Sequence, residues 1–191
     1  INMPVSPLDY RYGREEAKEI WSREGRHSRL LDVERALIWA HSKMGRVSPE
    51  DYDVIAEISD AGIVTADRVD ELEAETKHDI MALTKAMAEA AGESGWCIHL
   101  GATSNDIVDS AVALQIRDSI SVQNSSIKKL ILNMCEIAEK EKNTTMLGRT
   151  HGQAAVPITF GLKVAVWIDE FRRHLDRLEE MTPRCTTGKF L

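Results

Sequence analysis

The chain has 191 residues, of which 43% are hydrophobic and 29% charged, and its formal net charge is -7. That length suffices for one large domain or two small ones. The acidic balance speaks against a nucleic-acid backbone as the main partner, and no apolar run approaches the ~20 residues that span a bilayer. The opening INMPVSPLDYRYG has no apolar core and no cleavage pattern, so it does not read as a secretory signal. Cys97, Cys135 and Cys185 are far apart and form no C-x-x-C pair. This predicts neither a disulfide framework nor a zinc ribbon, and it fits a reducing, cytoplasmic setting.

In chain order the pattern is helical. REEAKEIWSREG (Arg14 to Gly25) reads as a short helix closed by glycine. From His27 to Gly45, Leu30, Val33, Leu37, Ala40 and Met44 recur at helical spacing. SPEDYDVIAEIS places Ser48 at an N-cap and Pro49 at the first helical position, with acids in the first turn. A short helix is expected after Thr65, and another from His78 to Gly92. Two long helices follow. Nothing breaks the pattern from Ser104 to about Asn143, where Ile120, Ile127 and Met134 repeat every seven residues and Leu130 and Ile137 interleave. Such a helix would be roughly 60 Å long. The second is expected from about Gly152 to Met181, with one apolar stripe of Phe160, Val164, Trp167, Phe171, Leu175 and Leu178, and core packing is the plain reading of Trp167 and Phe171. No convincing run of β-branched alternation is found. The fold class is therefore all-α: a small N-terminal helical domain over residues 1–101, then the start of a central long-helix bundle over 102–191. Two long helices bury only one face against each other, so this bundle is expected to be truncated, the front part of a larger protein.

Residues fit for chemistry gather at helix ends. Lys77, His78 and Asp79 lie side by side where a helix begins, and unpaired N–H groups there favour an anion. In HLGATSNDIVDSA, Thr103 or Ser104 caps the first long helix, with Asp106 as a first-turn acid. Capping accounts for one of the two adjacent hydroxyls; hydroxyls with free N–H groups also suit a carboxylate. In GRTHGQAAVPITFGLK, Gly148 and Gly152 let the backbone bend, His151 has a side chain suited to proton transfer near neutral pH, and Arg149 could hold an anion. Each patch has a plainer reading as a solvated cap or turn.

Together the segments DYRYG, TKHDIMAL, GATSNDIVDSA and GRTHGQAAVPITFGLK, in that order, resemble the fumarase/aspartase superfamily and within it the adenylosuccinate lyase family. The resemblance covers essentially all 191 residues. It implies β-elimination of fumarate from a succinyl nucleotide, with both succinyl nucleotides of purine synthesis as expected substrates. Arg11 and Tyr12 then match the phosphate contacts, and Lys77, His78 and Asp79 line the pocket. Thr103 and Ser104 match the residues that bind the succinyl carboxylate end. His151 matches the general acid that protonates the leaving nitrogen, His78 is a second catalytic candidate, and Gln153 is a pocket neighbour. No cofactor is implied, and no metal-ligand spacing occurs. Family members are homotetramers whose active sites combine residues of three subunits, so a homo-oligomer acting on a small-molecule nucleotide is expected, with no nucleic-acid or membrane partner. One departure stands out. The family's carbon-acid base is a serine on a mobile loop near SSxMPxKxNP, and no such segment occurs here; Ser125-Ser126 lies inside a helical pattern. The chain alone is therefore expected to be inactive. The rival readings are another fumarate-eliminating lyase of the superfamily, such as an argininosuccinate lyase, and a non-catalytic helical structural module.

Overall fold

The structure, a computed structural model, describes residues 12–190. Its described residues form seven α-helices and one two-stranded hairpin, so the all-α expectation holds for the frame. The chain divides into two compact units, residues 1–118 with 186–191, and residues 119–185.

The first unit holds α1 (Glu15–Trp21), α2 (Arg23–Lys43), α3 (Pro49–Asp60), α4 (Ala66–Thr76), α5 (Asp79–Ala91) and the first part of α6 (Ser104–Lys140). Ser48 caps α3 as the sequence predicts, and Thr65 caps α4. Ser48 Oγ accepts from the Asp51 N–H at 3.0 Å, and Thr65 Oγ1 from the Arg68 N–H at 3.2 Å. Gly25 is a correction: it does not close the first helix. Ser22 ends α1 and caps α2, its Oγ accepting from the Gly25 N–H at 2.9 Å. A Cβ on Gly25 would lie 2.1 Å from the Glu19 carbonyl oxygen, so the glycine serves the tight approach of the two helices. The core of this unit is aliphatic, with Ile38, Ile55, Leu72, Ile80, Leu83, Met87 and Ile107 all nearly inaccessible. Arg23 ties α2 to α4 through Asp67 at 2.8 Å and Asp70 at 2.6 Å. Arg68 ties α4 to α5 by a forked contact to Glu89 at 3.0 and 3.2 Å. Residues 186–190 return to this unit, where Ser110 Oγ donates to the Lys189 carbonyl at 3.1 Å.

The second unit contains the end of α6, a hairpin and α7 (Phe160–Cys185). The hairpin corrects the sequence reading. Strand β1 (Thr145–Thr150) pairs antiparallel with β2 (Gln153–Thr159), so the long helix begins at Phe160 and not at Gly152. The turn is His151-Gly152, with φ of 51° and 72°. Positive φ at both central residues is the requirement of a type I′ turn, whose twist matches the flanking strands. The register slips between Leu147 and Arg149, and Gly148 sits at that irregularity. A Cβ there would come 2.4 Å from the Val156 carbonyl oxygen, so only glycine fits. Pro157 is tolerated because a two-stranded hairpin has only edge strands.

Of the heptad positions in α6, Ile120, Ile127 and Met134 are buried, whereas Leu130 and Ile137 are exposed. Core packing of Trp167 is not what the structure has: the indole is 42% exposed, with Lys163 Nζ 5.3 Å from its ring centroid. Phe171 is half-buried, edge-on to His174. Two helices alone offer too little surface to enclose both sides of an aromatic stripe.

Candidate active site

Three polar groups carry the candidate chemistry, two in the first unit and one in the second. The α4–α5 junction comes first. Lys77 ends α4 in the left-handed region, φ 56°, and lines a shallow recess of about 450 Å³ with Asp70, Glu73 and Ala74. His78 is the N-cap of α5, its Nδ1 accepting from the Met81 N–H at 3.2 Å. An accepting Nδ1 places the neutral ring's proton on Nε2, so the outward edge of this imidazole is a donor. Asp79 uses one oxygen to accept from the Ile80 N–H at 2.8 Å and the other to hold Arg26 at 3.2 Å. No local pattern points to Arg26, which lies 53 residues away on α2.

The second group is the loop before α6. Ser104 is the first residue of that helix and Thr103 precedes it, with Thr103 exposed and Ser104 half-buried. Asp106 is 1% exposed and accepts from the Thr103 N–H at 3.0 Å, the reach-back half of a capping box. Its other oxygen meets Lys189 Nζ at 3.1 Å. The first-turn acid expected from sequence is thus a buried brace beneath the two adjacent hydroxyls. Gly101, φ 73°, has nothing within 4 Å of a would-be Cβ, so the loop is open on that side.

The third group is the hairpin tip. Arg149 and Gln153 flank the His151-Gly152 turn, and all four residues are exposed. A two-residue turn fixes the backbone on both sides of the imidazole while leaving the ring uncovered. His151 is therefore held by the hairpin and not by a helix, since α7 begins only at Phe160.

Of the phosphate contacts implied by the resemblance, Arg11 lies outside the described residues and Tyr12 is 60% exposed. Among the described residues no cluster of three or more His, Cys, Asp or Glu could hold a metal ion. No described helix is long and apolar enough to cross a membrane.

The sequence model of the family described as Lyase matches residues 10–191. The adenylosuccinate lyase of Pyrococcus abyssi is 48% identical over 187 residues, covering 98% of this chain and 42% of that protein. The N-acetyl-S-(2-succino)cysteine lyase of Dickeya dadantii is 36% identical, covering 93% of this chain and 39% of its own length. Among solved structures, the fumarate lyase from Mesorhizobium sp. BNC1 superposes with a TM-score of 0.84 at 33% identity, over 94% of this chain and 43% of that one. The chain thus spans about two fifths of the length of the curated relatives it matches. It belongs to the lyase family, in the fumarase/aspartase superfamily, and groups there with the adenylosuccinate lyases.

Proposed function

We propose that this chain supplies the acid side of a site that eliminates fumarate from adenylosuccinate, releasing AMP, and that also accepts the related succinyl-carboxamide nucleotide of purine synthesis. The observation that carries the reading is His151, an exposed imidazole pinned at a hairpin turn inside GRTHGQ. In the reaction a base takes the proton from the carbon next to a carboxylate, and that electron pair forms the double bond of fumarate. The C–N bond breaks, its electrons go to nitrogen, and His151 delivers the proton that nitrogen needs. Negative charge that builds on the carboxylate before C–N cleavage is met by Thr103, Ser104 and nearby N–H groups. Lys77, His78 and Asp79 line the pocket, Gln153 neighbours it, and Arg11 and Tyr12 take the phosphate.

The base is the serine-loop residue that these 191 residues do not contain, so the chain by itself turns over no substrate. The protein works as a cytoplasmic homotetramer. Leu132, Val156, Leu162 and Val166, each more than half exposed in the second unit, supply apolar surface for that association. The Dickeya relative's name makes a succinylated thiol the competing substrate class. Nucleotide binding separates the two. In a chimera, the Pyrococcus abyssi lyase with its matching segment replaced by this chain, Arg11→Ala should weaken AMP binding about tenfold or more, the range for a charge-assisted phosphate contact. Calorimetry gives the affinity; one unchanged by the substitution contradicts the nucleotide assignment.

A further inference from the structure

Helix α2 carries two buried polar side chains, Glu34 and His41. Seven residues apart, they lie on one face of the helix, and both grip the loop 98–104. Glu34 Oε1 accepts from His99 Nδ1–H at 2.6 Å, and His41 Nε2–H donates to the Leu100 carbonyl at 2.8 Å. Glu34 is fully buried, and its Oε2 has no hydrogen-bond partner. His99 sits at φ 61°, a left-handed conformation that a non-glycine residue keeps only when its surroundings hold it there. Its ring is partly exposed, 22%, so solvent protons reach it.

We propose that Glu34 and His99 form a protonation-controlled latch that fixes the loop 98–104, and with it the start of α6, where Thr103 and Ser104 stand. Glu34 is a positioning residue: it acts on those hydroxyls through His99. That the hydroxyls face a substrate carboxylate rests on the function proposed above; the latch itself does not.

The charged groups around His99 come from two elements. Glu34 faces it from α2, and Asp106, paired with Lys189 of the returning tail, acts on it from α6. His41, also on α2, is the other titratable group against the loop, with its Nε2 committed to the Leu100 carbonyl. The hydrogen bond to Glu34 raises the His99 pKa, burial opposes the rise, and the charges of Glu34 and Asp106 add to it. A folded-state pKa raised above the unfolded value gives a contribution that is fully present below ~6.5, the ordinary histidine value. It is lost as pH rises through the higher folded value. Above that point the ring is neutral, its Nδ1–H bond to Glu34 is no longer charge-assisted, and the hold on the strained backbone at His99 weakens.

The test is an NMR titration of the wild-type chain over about pH 5 to 9, a range that brackets the ordinary histidine value. It follows the His99 Cε1–H and the Gly101 and Thr103 amides. The latch predicts a His99 midpoint above ~6.5 and loop amides that move with that same midpoint. Glu34→Gln, of equal size but uncharged, should bring the midpoint down and uncouple the amides; Glu34→Asp should restore part of the rise. A wild-type midpoint at or below the ordinary value, or amides that ignore it, overturns the latch without any variant having to fold. So does an unchanged midpoint in Glu34→Gln. Neither readout involves turnover, so failure here is distinct from failure of the lyase reading.

Discussion

Replacing His151 by asparagine should lower kcat of the chimeric lyase by about 10²–10⁴, the usual worth of a positioned general acid. The substitution is chosen for the turn. His151 and Gly152 both have positive φ, and Asn-Gly is a favoured pair for such a turn, because asparagine tolerates the left-handed region better than most residues. The hairpin is therefore kept or stabilised while the proton donor is lost. Thermal melting should show no loss of stability, and AMP affinity should stay within about twofold of the parent, since ground-state nucleotide contacts lie elsewhere. Full activity in His151→Asn would remove this residue from the chemistry. A loss that appears in KM alone would make it a binding residue.

Gly161→Val should be among the most destabilising single changes in the second unit. A Cβ at Gly161 would lie 2.5 Å from the Ala138 carbonyl oxygen, 2.7 Å from Lys142 Cα and 2.8 Å from Lys142 N. These are backbone atoms, so no side chain can swing aside. The Gly161 N–H also donates to the Glu141 carbonyl at 3.0 Å, and the Phe160 N–H to Thr144 at 2.9 Å, so the end of α6 and the start of α7 are joined where they touch. Forcing them apart costs about 1–3 kcal/mol, the range for overpacking, or roughly 2–12 °C in melting temperature for a chain of this size. Few side chains of this unit besides Ile120, Ile127, Met134 and Val164 are deeply buried, so little core is there to compensate. Gly161→Ala should fall between wild type and valine. Melting curves that superimpose for all three proteins would contradict the close approach.

The sequence exposed most of the helical frame because its signals are local. Ser48 and Thr65 cap the helices they precede, and the repeat of Ile120, Ile127 and Met134 carries α6 through to Lys140. The hairpin was hidden for physical reasons. Its strands are six and seven residues long, Gly148 and Pro157 interrupt any alternation, and the turn is His-Gly, not the commoner Asn-Gly. The β-branched residues Thr145, Val156, Ile158 and Thr159 were the available signal. At the candidate site, Lys77, His78 and Asp79 were legible as a helix start, and Thr103 or Ser104 as the start of α6. The partners that position them were not: Arg26 is 53 residues from Asp79 and Glu34 is 65 from His99, separations that no local pattern spans. Asp106 was visible as a first-turn acid, but its ion-pair partner Lys189 lies 83 residues on.

The most direct test of the central claim is fumarate release from adenylosuccinate, followed in parallel for the folded chimera and for the 191-residue chain alone. Turnover is predicted for the chimera and none for the chain. A chimera that is folded and binds AMP yet releases no fumarate would contradict the assignment, and turnover by the isolated chain would contradict the placement of the base outside these residues.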